Sequence, residues 1–492
     1  MPRPEANMSL IQPQVDRRAF VRGIAAVGGA VFTGTALGSC DRADEAHHHV
    51  LPVEPDLAVR GGNVSRVALQ IPPAVTPSGV TLRAAPAELG VLPGKTTTAW
   101  TYNGLLPGPT FSARRGDRVS ISYTNGLAEP SITHWHGLLP DHANDGHPRQ
   151  AVGPGGSYSY DFTIDQRAAL NWYHPHPHML TGGQVYRGLA GAFIVRDELD
   201  TGVVGNPLGL PAGAYEVPLV IRDASFDSSG NFQFSNKSSG FFGNMPLVNG
   251  TANPYLNVDR AVYRFRVLNG CNARIWRLAL SPAASLIVIG NDGGLLDAPS
   301  PLAEISLGPG ERVDVLIDFR ALAANATVML RCLDAGWDLL QFVGTGINVL
   351  GAGVPTSLPA IERLSDPVLT RRFTFDGMTR LNGKVYDMGA VEFQVPLGQV
   401  ERWVFVTNGN GPHPVHVHGA SFQVQKRTGG RGWVFDWERG WKDTVVVNDK
   451  ETVEVLIRFV AHTGLYVIHC HQLGHEDGGM MANFEVVDSA AR

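Results

Sequence analysis

A histidine–cysteine–histidine sequence near the end of the chain most restricts what this protein can fold into. Cys470 lies between His469 and His471, and His475 and Met480 follow five and ten residues after the cysteine. A thiolate, an imidazole and a thioether, joined by one more imidazole, form the ligand set of a blue electron-transfer copper. Neighbouring side chains on a strand point to opposite faces, so the flanking imidazoles are expected to face away from the thiolate. The fold must therefore supply a second metal-binding group on the other face.

Histidines recur in pairs in two distant parts of the chain. Ten of the 17 histidines fall in four clusters, and the segments match two by two: His134-Trp135-His136-Gly137 with His416-Val417-His418-Gly419, and Tyr173-His174-Pro175-His176 with Ile468-His469-Cys470-His471. The offsets of 282 and 295 residues indicate two related domains. His-x-His on a strand puts both imidazoles on one face, which allows two strands to converge on a metal cluster. Scattered core histidines do not explain this pattern.

The chain of 492 residues is long enough for about three domains. Its 57 glycines and 33 prolines suit many short strands joined by tight turns. Alternating patterns and short apolar runs predict strands at 118–123, 218–221, 263–268, 313–317, 401–406 and 453–459. We therefore predict an all-β chain with sandwich domains at 61–205, 211–350 and 372–492 and a connector at 351–371. The middle domain contains no histidine and is expected to space the other two.

Charge and composition restrict the class of partner. Charged residues make up 17% of the chain and the formal net charge is −5, as in an ordinary soluble globular protein. No basic face suggests nucleic acid, and we expect a monomer. Cys271 and Cys332 lie outside the metal-binding pattern. A disulfide in an oxidising compartment and two buried free thiols both remain open for them.

Residues 1–40 have the features of an export signal. Arg17-Arg18 precedes an uncharged run of small residues at 23–38, which resembles a Tat signal and implies export by the Tat machinery to the periplasm. Sixteen such residues barely span a bilayer, which disfavours a membrane anchor. Leu37-Gly38-Ser39-Cys40 resembles a lipoprotein cleavage box, so lipidation of Cys40 and conventional cleavage both stay open. Residues 41–60, with three consecutive histidines, are interpreted as a linker.

The four histidine clusters resemble the copper signatures of the multicopper oxidases, the family of laccases, bilirubin oxidases and copper-efflux oxidases. Three further motifs are similar to the bacterial copper-efflux branch: Tyr102-Asn103-Gly104, Leu268-Asn269-Gly270-Cys271-Asn272-Ala273-Arg274 and Gly440-Trp441-Lys442-Asp443-Thr444. The resemblance implies three cupredoxin-like Greek-key β-sandwich domains. It also implies a role in copper tolerance.

The resemblance implies four copper ions per chain, with a ligand at every family position. The implied type 1 ligands are His413, Cys470 and His475, with Met480 axial. The implied type 2 ligands are His134 and His416. The two implied type 3 sets are His136, His174 and His471, and His176, His418 and His469. Because every position is filled, the copper-free cell-division relatives of this fold are disfavoured.

The family reaction couples four one-electron oxidations to the reduction of O2 to two waters. Cys470 links the type 1 site through the backbone to its two histidine neighbours, which bind the type 3 pair. Asp145 and Glu476 match family acids that relay protons, although a structural carboxylate bonded to a ligand imidazole is the alternative for each. His142, His147 and His178 match no ligand position and are expected to lie in loops or beside ligands.

The reducing substrate is less restricted by the sequence. Phenols or aromatic amines and Cu(I) are both expected, because the chain lacks a methionine-rich insert yet retains Met378, Asp387 and Met388. Positions 408–411 lack the Asp and Met of a cuprous-oxidase site, so the type 1 edge is expected to be more open to bulky phenols. Two other functions are a copper-sequestering or scaffold protein without turnover, and a copper nitrite reductase. The latter lacks the His-Cys-His bridge to a type 3 pair and is disfavoured.

Overall fold

The structure is a computed structural model that describes residues 65–235 and 237–489. The predicted export signal with Cys40, the linker 41–60 and residues 61–64 of the predicted first domain lie outside the described residues. No helix in the described ranges combines the length and the apolar character needed to cross a bilayer.

The all-β prediction is confirmed, and the described residues form six sheets. The sheets are arranged as three pairs, and each pair encloses its own hydrophobic core. All six predicted strand segments lie within or overlap observed strands. The boundaries of the three domains stay predictions, although no strand occurs between residues 349 and 368, where the connector was placed.

The first pair of sheets contains the first two histidine clusters. Its strand orders are β2-β5-β10-β9-β7 and β4-β3-β6-β8, and Trp135 and Phe193 in its core are fully buried. The strands are β2 Ala74–Val75, β3 Ser78–Leu89, β4 Thr97–Tyr102, β5 Thr110–Arg114, β6 Arg118–Asn125, β7 Thr133–His134, β8 Ser157–Thr163, β9 Ala169–Pro175 and β10 Gly191–Arg196.

The second pair contains no histidine. Its strand orders are β1-β14-β22-β21-β16-β19 and β13-β12-β11-β15-β20-β17-β18. Strand β1, which precedes the first sandwich in the chain, pairs with β14 of this second sandwich. The strands are β1 Val67–Ala68, β11 Glu216–Ala224, β12 Met245–Val248, β13 Thr251–Ala252, β14 Pro254–Arg260, β15 Val262–Asn269, β16 Trp276–Ser281, β17 Leu286–Asn291, β18 Gly294–Leu302, β19 Glu304–Leu307, β20 Arg312–Asp318, β21 Thr327–Cys332 and β22 Trp337–Asn348.

The third pair contains the His-Cys-His sequence. Its strand orders are β24-β23-β26-β30-β28 and β25-β32-β31-β27-β29. Aromatic residues such as Trp403 and Phe405 fill its core. The strands are β23 Leu369–Asp376, β24 Arg380–Leu381, β25 Phe393–Pro396, β26 Val400–Thr407, β27 His413–Val417, β28 Phe422–Gly429, β29 Thr444–Val447, β30 Glu451–Arg458, β31 Gly464–Cys470 and β32 Met481–Val487.

Two short helices follow the matching histidine strands and join the domains. Helix α1, Thr181–Tyr186, follows β9, and helix α2, Leu473–Asp477, follows β31. The backbone N–H of Gly182 in α1 donates to Asp477 in α2 at 3.0 Å. Asn272 of the second domain donates its side-chain N–H to Gly182 O at 2.8 Å, and its carbonyl accepts from the N–H of Leu473 at 2.9 Å. All three domains therefore meet at the helices beside the histidine clusters.

A buried charge network connects the end of the first domain to the second. Arg266 donates to Asp200 at 2.8 Å and to Asp314 at 3.1 Å, and Arg264 donates to both carboxylates of the same pair. Asp200 is only 1% exposed, and the adjacent arginines outweigh the effect of burial and lower the pKa of its carboxyl. Removing one member leaves an uncompensated buried charge, which makes this network a requirement for the interface.

The two cysteines of the second sandwich are free thiols. Cys271 and Cys332 are both buried and unbonded to each other. Burial raises the pKa of the Cys271 thiol well above its usual value. Both side chains belong to the core of the second sandwich.

Candidate metal centre

Strand register brings the matching histidine segments together in the same way in both domains. Strands β7 and β9 pair antiparallel with His134 opposite His174. Strands β27 and β31 pair antiparallel with His416 opposite His469 and Val415 opposite Cys470. Because side chains alternate between the two faces of a strand, His469 and Cys470 point to opposite faces, as predicted from the sequence.

The thiolate group, defined as His413, Cys470 and His475, forms a triangle of donor atoms. Cys470 Sγ lies 3.4 Å from Nδ1 of His413 and 3.4 Å from Nδ1 of His475, and the two nitrogens are 3.1 Å apart. The centre of such a triangle is about 2 Å from each corner, which is near the length of a bond from a first-row metal to nitrogen or sulfur. The structure therefore brings the three predicted equatorial type 1 ligands together.

Met480 is fixed next to the thiolate group by the backbone. Its N–H donates to His475 O at 2.9 Å, and its carbonyl accepts from the N–H of Cys470 at 3.1 Å. The residue is fully buried in the same core as Cys470. This placement fits the predicted axial ligand.

One imidazole from each ligand-bearing domain forms the predicted type 2 pair. Nε2 of His134 and Nε2 of His416 are 3.4 Å apart. The Nδ1–H groups donate to the carbonyl oxygens of Asp145 at 2.7 Å and Asp443 at 2.9 Å. These bonds place the proton on Nδ1 and leave both Nε2 lone pairs available to a metal ion.

A second group combines one histidine of the first domain with two of the third. Nε2 of His469 lies 3.3 Å from Nε2 of His176 and 3.1 Å from Nε2 of His418. All three imidazoles are at most 1% exposed. The group coincides with one predicted type 3 set and draws its ligands from both domains.

The other predicted type 3 set is His136, His174 and His471. The ring centroid of His471 lies 4.9 Å from that of His136 and 5.2 Å from that of His174. Nδ1 of His136, Nε2 of His174 and both ring nitrogens of His471 are buried without a hydrogen-bond partner. Buried nitrogens without partners are costly, and a bound metal ion would satisfy them.

The electrostatic environment prepares these groups for a metal ion. Burial lowers the pKa of the imidazoles, which keeps their lone pairs free, at His134, His136, His174, His176, His413, His416, His418, His471 and His475. Burial raises the pKa of the Cys470 thiol, so metal binding must displace its proton. Neutral imidazoles with one thiolate and a thioether fit copper.

Asp145 joins two groups of ligands. Its Oδ2 accepts from Nδ1 of His418 at 2.8 Å, while its carbonyl oxygen accepts from His134. The carboxyl is fully buried, and burial raises its pKa well above the usual value. A buried carboxyl that contacts a ligand imidazole is suited to proton transfer beside that ligand.

Glu476 occupies the corresponding position beside the other ligands. Its carboxylate oxygens lie 3.3 Å from Nδ1 of His469 and 3.7 Å from Nε2 of His176. Burial opposes ionisation, but these imidazoles favour the carboxylate and lower the pKa of Glu476 to about 2. The two predicted acids therefore contact different ligand pairs.

Three residues at the site were not predicted to act there. Nε2 of His136 contacts Oδ1 of Asp443 and Oγ1 of Thr444, each at 3.0 Å, which explains why its Nδ1 is free. Arg312 of the second domain donates to both carboxylate oxygens of Asp443 at 2.6 and 2.5 Å. Asp443 and Thr444 lie in the motif at 440–444, which indicated only the family resemblance. In the sequence, Arg312 is a charged residue at the start of a strand, and nothing else there indicates a role at the site.

The three histidines without a family position contact other parts of the protein. His147 Nε2 lies 2.9 Å from Asn483 Oδ1, and the ring of His178 lies 5.2 Å from that of Tyr386. His142 packs against Gly464. Within residues 65–235 and 237–489, none of the three belongs to a group of close potential metal-binding atoms.

Two segments of the chain match family models. Residues 85–200 and residues 353–490 each match a model described as multicopper oxidase. The first segment carries the histidine pairs of the first domain, and the second carries those of the third domain. Together the two segments cover just over half of the chain.

Known proteins resemble the chain over most of its length. It is 31% identical to a laccase of Bacillus stratosphericus, covering 80% of this chain and 91% of that protein. It is 33% identical to the cell division protein FtsP of Photorhabdus laumondii, covering 90% and 91%. The crystal structure of McoA multicopper oxidase from Aquifex aeolicus is 37% identical, with a TM-score of 0.80 over 86% of this chain and all of that one.

We predict that the metal-free protein loses stability as the pH falls below about 6.5, the pKa of an unfolded histidine. Burial lowers the pKa of His413 to about 4 and that of His176 to about 3. Between about pH 6.5 and these lowered pKa values, the unfolded chain binds more protons than the folded protein does. The free energy of unfolding therefore decreases with decreasing pH. The melting temperature of apoprotein, measured from about pH 7 to about pH 5, checks this.

Copper-loaded protein is the control for that measurement, because its ligand nitrogens are already bound. Its melting temperature should fall less over the same range. An apoprotein whose melting temperature stays constant or rises towards acid pH contradicts the expectation.

Proposed function

This chain belongs to the multicopper oxidase family, and from that premise we propose that it binds four copper ions and couples substrate oxidation to the complete reduction of O2 to water. It is an oxidoreductase that transfers electrons from a reducing substrate to O2. The observation that carries the proposal is the set of buried donor atoms described above. Histidine and cysteine donors form groups whose atoms lie within 4.8 Å of one another, and His136, His174 and His471 have buried nitrogens without a hydrogen-bond partner.

The proposal assigns each group one role. The thiolate group with Met480 would hold a type 1 copper, and His134 with His416 would hold a type 2 copper. The sets His136, His174, His471 and His176, His418, His469 would each hold a type 3 copper. The histidine cluster is defined as the eight imidazoles of the type 2 and type 3 sets. When bound, copper supplies one-electron redox chemistry at the thiolate group and the reduction of O2 at the histidine cluster.

Strand β31 connects the two sites through covalent bonds. Cys470 belongs to the thiolate group, and its backbone neighbours His469 and His471 belong to the histidine cluster. The chain thus provides two short covalent routes between the sites. In the first domain Pro175 holds the equivalent position, so only the third domain has this connection.

Reduction of O2 to water also consumes protons, and we propose that Asp145 and Glu476 relay them. Each carboxyl group is at most 1% exposed and contacts the imidazole of a ligand. Neither acid is assigned to a copper ion, so each is free to exchange protons.

A protein with this fold but without turnover is the competing function. The resemblance to the cell division protein FtsP raises it. The full set of donor atoms, with buried nitrogens that lack other partners, favours the oxidase.

Copper content and the visible spectrum separate the two functions. We expect about four coppers per chain, a blue absorption band from the type 1 copper and a near-ultraviolet shoulder from the pair of type 3 coppers. O2 uptake should accompany substrate oxidation. One or two coppers per chain, or full loading without O2 uptake, would contradict the oxidase.

Met378 covers the outer edge of the thiolate group. Its Sδ atom lies 2.9 Å from Nε2 of His475, and the residue is 38% exposed. A phenol approaching His475 would find the ring nitrogen already occupied, whereas Cu(I) favours a thioether ligand. We therefore propose Cu(I) as the electron donor that this edge fits best, ahead of phenols or aromatic amines.

The Met378→Leu variant tests the donor. It removes the thioether at nearly constant shape, so Cu(I) oxidation should slow by about tenfold or more, while oxidation of a substituted phenol is unchanged or faster. O2 uptake with each donor is the measurement. Met329→Leu removes a thioether in β21 of the second domain, which contributes no ligand, and is the matched control. Equal losses for both donors would refute a specific role in Cu(I) oxidation.

The Asp145→Asn variant tests proton delivery. The amide is nearly isosteric but cannot donate a carboxyl proton, so O2 reduction should slow by about 10²-fold or more with the blue band intact. Rates with a single donor across a range of pH are the measurement. Unchanged turnover at every pH would show that Asp145 is structural only.

We propose that the protein acts in the bacterial periplasm after Tat export and contributes to copper tolerance. The twin arginine and the following apolar run support export. Removal of Cu(I) by oxidation would connect the proposed activity to tolerance. Lipid anchoring through Cys40 and a monomeric state belong to the same proposal.

A further inference from the structure

The middle domain, which contributes no ligand, reaches the histidine cluster through one side chain. We infer that Arg312 is a positioning residue that holds Asp443 as a hydrogen-bond partner of His136 and prevents this carboxylate from becoming a metal ligand. The inference rests on the proposed binding of copper at the histidine cluster.

Arg312 uses all five of its N–H donors. Two of them hold Asp443 in a fork, at 2.6 Å to Oδ1 and 2.5 Å to Oδ2. The others donate to Leu170 O at 3.0 Å, Gly310 O at 3.1 Å and Asp292 O at 3.1 Å. The guanidinium is fully buried and contacts all three domains. Any rotation of the Arg312 side chain would break some of these hydrogen bonds, so its position is fixed.

Asp443 lies close enough to the cluster to compete for metal. Its carboxylate and the nitrogens of His136 and His416 all lie within 4.8 Å of one another. Oδ1 contacts Nε2 of His136, and the backbone carbonyl accepts from Nδ1 of His416. One residue therefore sets which nitrogen each of two ligands offers.

A carboxylate at this place has two chemical options. It can orient the imidazoles, or it can bind a divalent metal ion directly, since carboxylate oxygens are common metal ligands. The Arg312 fork occupies both oxygens with charge-assisted hydrogen bonds. His136 then keeps its proton on Nε2 and offers Nδ1.

The local packing around the ion pair leaves no space for a side chain at position 137. A Cβ atom on Gly137, which follows His136, would lie 2.5 Å from Nη2 of Arg312 and 2.9 Å from Oδ2 of Asp443. The glycine of the His-Trp-His-Gly motif is therefore required by the ion pair as well as by its φ of +89°.

A second ion pair fixes the backbone of Arg312. Its N–H donates to Asp292 Oδ1 at 2.7 Å, and Oδ2 of Asp292 lies 2.9 Å from Nζ of Lys442, the residue before Asp443. Lys442 also lies 3.2 Å from Glu311. The second and third domains are thus locked together on both sides of the Arg312–Asp443 pair.

The test is the Arg312→Lys variant of the copper-loaded protein, which retains the positive charge and removes the fork. We expect the histidine cluster to lose copper to a competing chelator about 10- to 100-fold more readily. The near-ultraviolet shoulder and the type 2 electron paramagnetic resonance signal should change, while the blue band stays the same. The blue band reports on the thiolate group, which Arg312 does not contact, and shows that the variant is folded.

Arg266→Lys is the matched control, because Arg266 is equally buried and bonds only to carboxylates away from the ligands. It should retain wild-type spectra. Arg312→Lys combined with Asp443→Asn removes the competing carboxylate and should restore the type 2 signal. Identical spectra and copper retention in Arg312→Lys and Arg266→Lys would overturn the inference, as would failure of the double variant to restore the signal. Wild-type protein that binds no copper would overturn the proposed function as well.

Discussion

Burial of imidazole nitrogens without protein partners is the constraint on which the rest of the structure depends. At the junction of the first and third domains, nitrogens of His136, His174 and His471 are buried without a hydrogen-bond partner. Such groups are costly unless a metal ion binds them. The surrounding structure keeps them neutral and fixes their orientation through carbonyl oxygens and acids. The sheets, the helices and the middle domain surround these imidazoles and keep them buried.

The sequence predicted those features that depend on local spacing. Alternation identified strands such as β15 and β26, and His-x-His spacing identified which imidazoles share a face. The assignment of each histidine to a particular copper came from family resemblance and stays a prediction. The all-β class followed from the many short strands and turns.

The features that the sequence did not predict depend on contacts between distant residues. Arg312 and Asp443 are separated by 131 positions, and Met378 and His475 by 97. A buried arginine at the start of a strand has the same local pattern as an exposed one. An open type 1 edge was expected because positions 408–411 lack the Asp and Met of a cuprous-oxidase site. In the structure, Met378 covers that edge from another loop. Only the folded chain shows such partners.

The thiolate group is self-contained, which has a consequence for assembly. His413, Cys470, His475 and Met480 all belong to the third domain, whereas each set of the histidine cluster needs the first domain as well. Under the proposed assignment, a chain whose domains have folded separately and not yet docked would hold a blue copper and nothing able to reduce O2. Colour therefore reports the maturation of one domain, and only O2 consumption reports completion of the whole molecule. Export after folding, as a twin-arginine signal implies, would suit a protein whose last assembly step joins residues some 300 positions apart.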